Sequence, residues 1–156
     1  MDWYAKAFVK ASITWLALGV TLGVGMAVFP QWIIYRPAHM HMVLLGFVAM
    51  MIFGVAYHVI PRFTGFPLHS LKAPAAQWFI SNAGLALMIT GFIARPGAPR
   101  LGSATLAFGG SLAAIGAYIF AYVIWRTIDG PTALRKSATR ATSAESRRGM
   151  PLPQAK

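Results

Sequence analysis

Three histidines share one apolar stretch, RPAHMHMVLLGFVAMMIFGVAYHVIPR from Arg36 to Arg62: His39 and His41 lie near its start and His58 near its end. An apolar run of about 20 residues is long enough to cross a bilayer as a helix. An ionisable side chain within such a span is costly, so it usually turns inward and marks a site. A neutral imidazole binds a transition metal through one ring nitrogen when a hydrogen bond holds the other. Coordination chemistry is therefore the first reading of this stretch, and the rest of the chain is its housing.

At about 100° per residue, His39, Val43, Gly46, Met50, Gly54 and Tyr57 fall on one helix face. His39 thus looks along a groove cut by two glycines, which leaves room for a flat macrocycle against the backbone; this pattern suits a haem ligand. His41 is turned by about 200° from His39, onto a face of Leu45, Val48, Ile52, Val55 and Val59. The two cannot grip one ion from one rigid helix. His41 is then a ligand for a different group, a partner for a neighbouring helix or protomer, or a polar residue tolerated near the interface. His58 follows His39 by 19 residues, or about 28 Å along the axis, so the pair cannot be the two axial ligands of one haem. His58 either ligates a second cofactor on the inner side or hydrogen-bonds near Arg62. His69 reads as an exposed loop residue.

Composition limits what can be bound and where. The 156 residues leave room for one domain, and 57% hydrophobic content with only 11% charged residues marks an integral membrane protein. The absence of cysteine excludes disulfides, thiolate metal sites and thiolate-ligated or thioether-attached haem. A cofactor must be held noncovalently, by His, Met, Tyr or backbone. Asp2, Asp129 and Glu145 are the carboxylates, and all lie outside the apolar runs. Hydrolytic chemistry and a proton pump built on a buried carboxylate are disfavoured. The net charge of +11 is carried by loops and a tail between apolar segments, which speaks for membrane topology rather than nucleic acid.

Four apolar runs, about 8–29, 37–60, 75–94 and 101–125, have the length of helical crossings. Prolines 30 and 37, 61, 67 and 74, and 96 and 99 fall in the short connectors. The expected fold is all-α: an integral membrane four-helix bundle over residues 1–126, with a disordered basic tail over 127–156. The first run is too long for a signal peptide and lacks a small-residue cleavage site, so it is expected to remain as a helix. Lys6, Lys10, Arg62, Lys72, Arg126 and the tail's Arg and Lys lie on one side, against Arg36, Arg95 and Arg100 on the other. The chain is accordingly placed in the cell inner (plasma) membrane as a multi-pass protein with both termini cytoplasmic. That puts His39 and His41 near the outer face and His58 and His69 near the inner one.

Other polar and small residues have simpler readings. Gly19, Gly23 and Gly25 in the first helix let another backbone approach. Asn82, beside Ser81 in the third helix, needs a partner across a helix interface and reads as packing glue before cofactor neighbour. The fourth helix carries Gly109, Gly110 and Gly116, then Tyr118, Tyr122 and Trp125 beside Arg126, an interfacial aromatic belt.

The same stretch resembles the second transmembrane helix of the haem–copper oxidase subunit I superfamily, nearest to the C-type cytochrome c oxidases and their nitric oxide reductase relatives. In these an Arg-Pro-x-His start, a glycine seven residues after the histidine and an aromatic-rich end leading to Arg recur. The resemblance implies that His39 is the axial ligand of a low-spin haem near the outer face, approached by Arg36 and Pro37, with Gly46 as the matching glycine. It covers about a sixth of the chain by motif. The family has about a dozen spans, with its second low-spin ligand and copper ligands on later helices, so the chain resembles a short stand-alone member rather than a complete oxidase.

The leading expectation is a membrane protein that binds haem b noncovalently through His39, for electron transfer or binding of a small gas such as NO or O2. Its second ligand is left open among His39 or His41 of a second protomer, Met40, Met42, or none. A copper-handling protein using His39 and His41 with Met40 and Met42 is an alternative, although alternating His-Met suits an extended segment better than a helix. A cofactor-free structural or assembly subunit of a respiratory complex is another. Lipid, a second copy of the chain and a respiratory partner subunit are the expected partners; nucleic acid is not.

Overall fold

Residues 2–130 and Thr142 are described by the computed structural model. Among them there is no strand, and four helices are long and apolar enough to cross a membrane: α1 (Trp3–Val28), α2 (Pro30–Thr64), α3 (Ala73–Ala94) and α4 (Pro99–Ile128). Each extends past the expected apolar run at one end or both, because hydropathy marks the part of a helix that lipid requires and helical backbone continues into the interface. Apart from residues 127–130 and Thr142, the tail expected to be disordered lies outside the described residues; α4 itself continues to Ile128, two residues beyond the expected boundary.

The prolines sit mostly inside helix starts rather than between helices. Pro30, Pro37, Pro74 and Pro99 each occupy a first-turn position of a helical segment. There the N–H that proline lacks would have had no intrahelical acceptor. Pro61 lies within the last turns of α2, and the helix runs on to Thr64 before Gly65, at φ 71°, ends it in the left-handed region that glycine adopts freely.

Helix α2 changes gauge along its length. A 3-10 segment, Pro30–Tyr35, leads into an α-helical turn, Arg36–His41, then a π-helical segment, Met42–Ala49, then an α-helix, Met50–Thr64. Five of its six buried residues, Ala38, Met42, Gly46, Met50 and Gly54, recur every fourth position, and Tyr57 is the sixth. In a uniform α-helix that spacing drifts around the axis by about 40° per step. The wider turn of the π segment holds Met42, Gly46 and Met50 on one face.

Helices α1 and α2 pack along glycines on both sides. A Cβ at Gly19 would lie 3.1 Å from Val43 Cγ2, and one at Gly54 would lie 3.0 Å from the Ala5 carbonyl oxygen. Helices α3 and α4 approach even more closely: a Cβ at Gly84 would stand 2.7 Å from the Ala113 nitrogen, and one at Gly109 would stand 2.6 Å from the Met88 nitrogen. Glycines seven apart, at 84 and 91 on α3 and at 102, 109 and 116 on α4, form this seam. Without a hydrophobic force between helices in lipid, such close backbone contact is a main source of association.

The two helix pairs are tied at the end that holds the N-terminus of α1. Tyr57, fully buried, has its ring 6.1 Å from both Tyr4 and Phe8 and 5.4 Å from Phe120, and its hydroxyl donates to Gln77 Oε1. One side chain of α2 thereby touches α1, α3 and α4. The connector after α2 is pinned to α4 where the His69 N–H donates to Thr127 Oγ1 at 3.1 Å.

Candidate functional site

His39 and His41 stand in the single α-helical turn between the 3-10 and π segments. Two residues apart, they face different helices, as their rotation requires. His39 Nδ1 is 2.8 Å from the Gly19 carbonyl oxygen, and its ring lies over Gly23, where a Cβ would come within 3.0 Å of Cε1. The glycines of α1 thus make the seat for this imidazole. His41 Nδ1 is 2.8 Å from the Pro37 carbonyl oxygen, and its ring packs 4.9 Å from Phe92 of α3.

These contacts fix the chemistry of each ring. A carbonyl oxygen can only accept, so Nδ1 of both His39 and His41 carries a proton, and in the neutral ring Nε2 keeps its lone pair. A backbone carbonyl holding the far nitrogen is the usual support of a metal-ligating imidazole. His58 has the opposite arrangement. Arg62 Nη1 lies 2.9 Å from His58 Nδ1 and also donates to the His58 carbonyl oxygen. A guanidinium can only donate, so His58 Nδ1 accepts and Nε2 holds the proton. Neither nitrogen of His58 is open to a metal in this arrangement, and of its two sequence readings the structure shows the hydrogen bond near Arg62. His69 is exposed, its ring 5.6 Å from Tyr122. Arg36 is exposed at the junction where the 3-10 segment becomes α-helical.

The groove beside Gly46 holds an indole. A Cβ at Gly46 would fall 2.5 Å from Trp15 Cβ and 2.7 Å from Trp15 Cγ, with Leu85 Cδ2 at 3.0 Å. Trp15 is held there because its Nε1–H donates to Asn82 Oδ1 at 3.0 Å, while Asn82 Nδ2 donates to the Trp78 carbonyl at 2.8 Å. This bond joins α1 to α3 in mid-span and gives Asn82 the cross-helix partner that its amide requires. A macrocycle against Gly46 would need Trp15 to leave. His39, on the α1 side of α2, keeps its Nε2 without such a displacement.

Three features went unsingled in the sequence: Trp15, the Tyr57–Gln77 bond and the Gly84–Gly91 half of the glycine seam. Asn82 carried a signal for Trp15, since a mid-span amide calls for a donor at similar depth on another helix. No group of three or more His, Cys, Asp or Glu side chains that could hold a metal ion occurs among the described residues.

No protein-family model matches this chain, and no curated protein matches it.

Proposed function

We propose that this chain is a membrane haem b protein that takes the iron through His39 Nε2, for electron transfer or binding of a small gas, and that it is kin to part of haem–copper oxidase subunit I. The observation that carries the reading is the 2.8 Å bond from His39 Nδ1–H to the Gly19 carbonyl, which leaves a neutral imidazole with its coordinating lone pair free. The donor fits an axial ligand; the space beside Gly46 does not fit the macrocycle while Trp15 fills it. The seat would then be the α1–α2 edge around His39 and Gly23, with Gly19 orienting the ring and Arg36 one turn away to meet a propionate. When bound there, haem supplies one-electron redox chemistry and, if one axial position stays open, a place for a diatomic ligand. His41, its ring packed on Phe92 of α3, serves a different group or a second copy, or stands as a polar residue near the interface.

The excess of Lys and Arg at the ends of the chain and in the loop after α2 supports cytoplasmic termini in the inner membrane, with His39 toward the outer side. A cofactor-free packing subunit is the second reading, favoured by the indole that fills the Gly46 groove. Visible spectra of protein purified in detergent from haem-replete cells decide between them. Wild-type protein should show a Soret band with reduced α and β bands, lost in His39→Ala and retained in His58→Ala. A colourless wild type refutes the haem reading.

A further inference from the structure

Between α3 and α4 lies an outward-facing groove of about 480 Å³. Helix α3 contributes only Ala73 and Ala76 to its walls, whereas α4 contributes Ile115, Tyr118, Ile119 and Tyr122. Alanines set against larger side chains leave the hollow. Ile115 lies near the midpoint of α4 and Ala73 in the first turn of α3, so the groove runs from mid-span to one end of the bundle. The rise from Ile115 to Tyr122 is about 10 Å, most of the roughly 15 Å of hydrocarbon in one leaflet.

The end of the groove is basic. Lys72 precedes Ala73 and shares a helix face with Ala76, whose N–H donates to the Lys72 carbonyl, and Arg126 follows Tyr122 by one turn of α4. Both basic residues are exposed. The connector that carries His69 is fixed there by its bond to Thr127 Oγ1, and the His69 ring lies against Tyr122. A second groove of about 450 Å³ on α4, beside Phe120, Trp125 and Ile128, ends instead at Asp129. Two apolar grooves of similar size at the same end of the bundle thus carry opposite charge at their mouths.

Depth and charge choose the occupant. A partner helix must cross the whole bilayer with about 20 residues, and the groove would support it over one leaflet only. An acyl chain ends at mid-bilayer, as the groove does, and its phosphate lies at the headgroup level, where Lys72 and Arg126 stand. Basic side chains at the membrane surface favour anionic lipid. We propose that this groove selectively binds one anionic phospholipid, with an acyl chain along Ile115, Ile119 and Tyr122 and its headgroup paired with Lys72 and Arg126. The site lies toward the opposite end of the bundle from His39 and requires no haem, so it stands or falls independently of the proposed function.

The test gives the full chain, delipidated in detergent, equal amounts of dioleoyl phosphatidylglycerol and dioleoyl phosphatidylcholine and reads retained lipid by native mass spectrometry. Wild-type protein should retain one phosphatidylglycerol in preference to phosphatidylcholine. Lys72→Gln and Arg126→Gln should each lower that preference about fivefold, the share of one basic residue at an anionic headgroup. Ala76→Leu, at an exposed wall position, fills the groove and should abolish the preference. Lys6→Gln combined with Lys10→Gln removes as much charge from α1 and should change it far less. Equal retention of the two lipids overturns the proposal. So does an equal loss in the Lys6→Gln/Lys10→Gln variant, which would make the preference a matter of net charge. A preference that survives Ala76→Leu overturns it too, as does a dimer that Ala76→Leu dissociates, which would put a second copy in the groove.

Discussion

Substituting Gly46 with alanine probes the contact between α1 and α2 at its tightest point. The added Cβ would stand 2.5 Å from Trp15 Cβ and 2.7 Å from Trp15 Cγ. Carbon atoms pack best at about 3.5–4.0 Å, so the shortfall is about 1 Å. Because the nearest atom is the Cβ of Trp15, no rotamer of the indole relieves the contact; the helices must part. Parting them stretches the 3.0 Å bond from Trp15 to Asn82 as well. The expected cost is about 1–3 kcal/mol, the range for overpacking a fitted interior. The background variants sharpen the test. Trp15→Ala keeps the Cβ and removes only the Cγ contact, so Gly46→Ala should still be costly in that background. Trp15→Gly removes both and leaves only the contact with Leu85 Cδ2 at 3.0 Å, so Gly46→Ala should then cost much less. Reversible unfolding of haem-free protein in mixed micelles, titrated with SDS and followed by circular dichroism, measures each step within its own background. Wild-type stability for Gly46→Ala, or full relief by Trp15→Ala, would refute the packing geometry.

Two further outcomes are expected in the same assay. A double-mutant cycle of Trp15→Phe and Asn82→Leu should show a coupling of about 0.6 kcal/mol, the average for hydrogen bonds between membrane helices, and at most about 1.7 kcal/mol; zero coupling would deny the mid-span bond. On α4, Gly109→Ala should destabilise by about 1–3 kcal/mol because its Cβ meets the Met88 backbone nitrogen at 2.6 Å. Its neighbour Gly110, with nothing within 4 Å, should tolerate alanine and gain up to about 1 kcal/mol from helix propensity. Equal effects at the two positions would contradict the α3–α4 seam.

The four helices were legible because a bilayer crossing demands length and apolarity, so the body of each of α1 to α4 could be read from composition. Their ends could not, because Pro37, Pro74 and Pro99 read as connectors and instead open helical segments, while Pro61 is carried through. The change of gauge over Met42–Ala49 was hidden as well. A wheel at 100° per residue places His39 and Gly46 on one face, and in the structure α1 does receive both, yet through different neighbours: Gly19 and Gly23 for the imidazole, Trp15 for the glycine. Spacing alone reports which residues share a face. It says nothing of whether a gap on that face is filled from the other side.

The histidines show the same limit at the level of chemistry. His39 and His58 lie on one helix and both are half-buried, yet they differ in what they can bind because their partners differ in kind. Gly19 offers a carbonyl, which places a proton on Nδ1 and leaves the Nε2 lone pair of the neutral His39 ring unused. Arg62 offers only protons, which consumes the Nδ1 lone pair of His58 and leaves Nε2 as a donor. A metal approaching His58 must first displace a guanidinium, whereas one approaching His39 leaves the Gly19 bond intact and strengthened. An arginine four residues after a histidine at a helix end therefore subtracts that histidine from the ligand set. A glycine-lined seam facing a histidine leaves its Nε2 unengaged, since it brings a backbone carbonyl within reach of Nδ1.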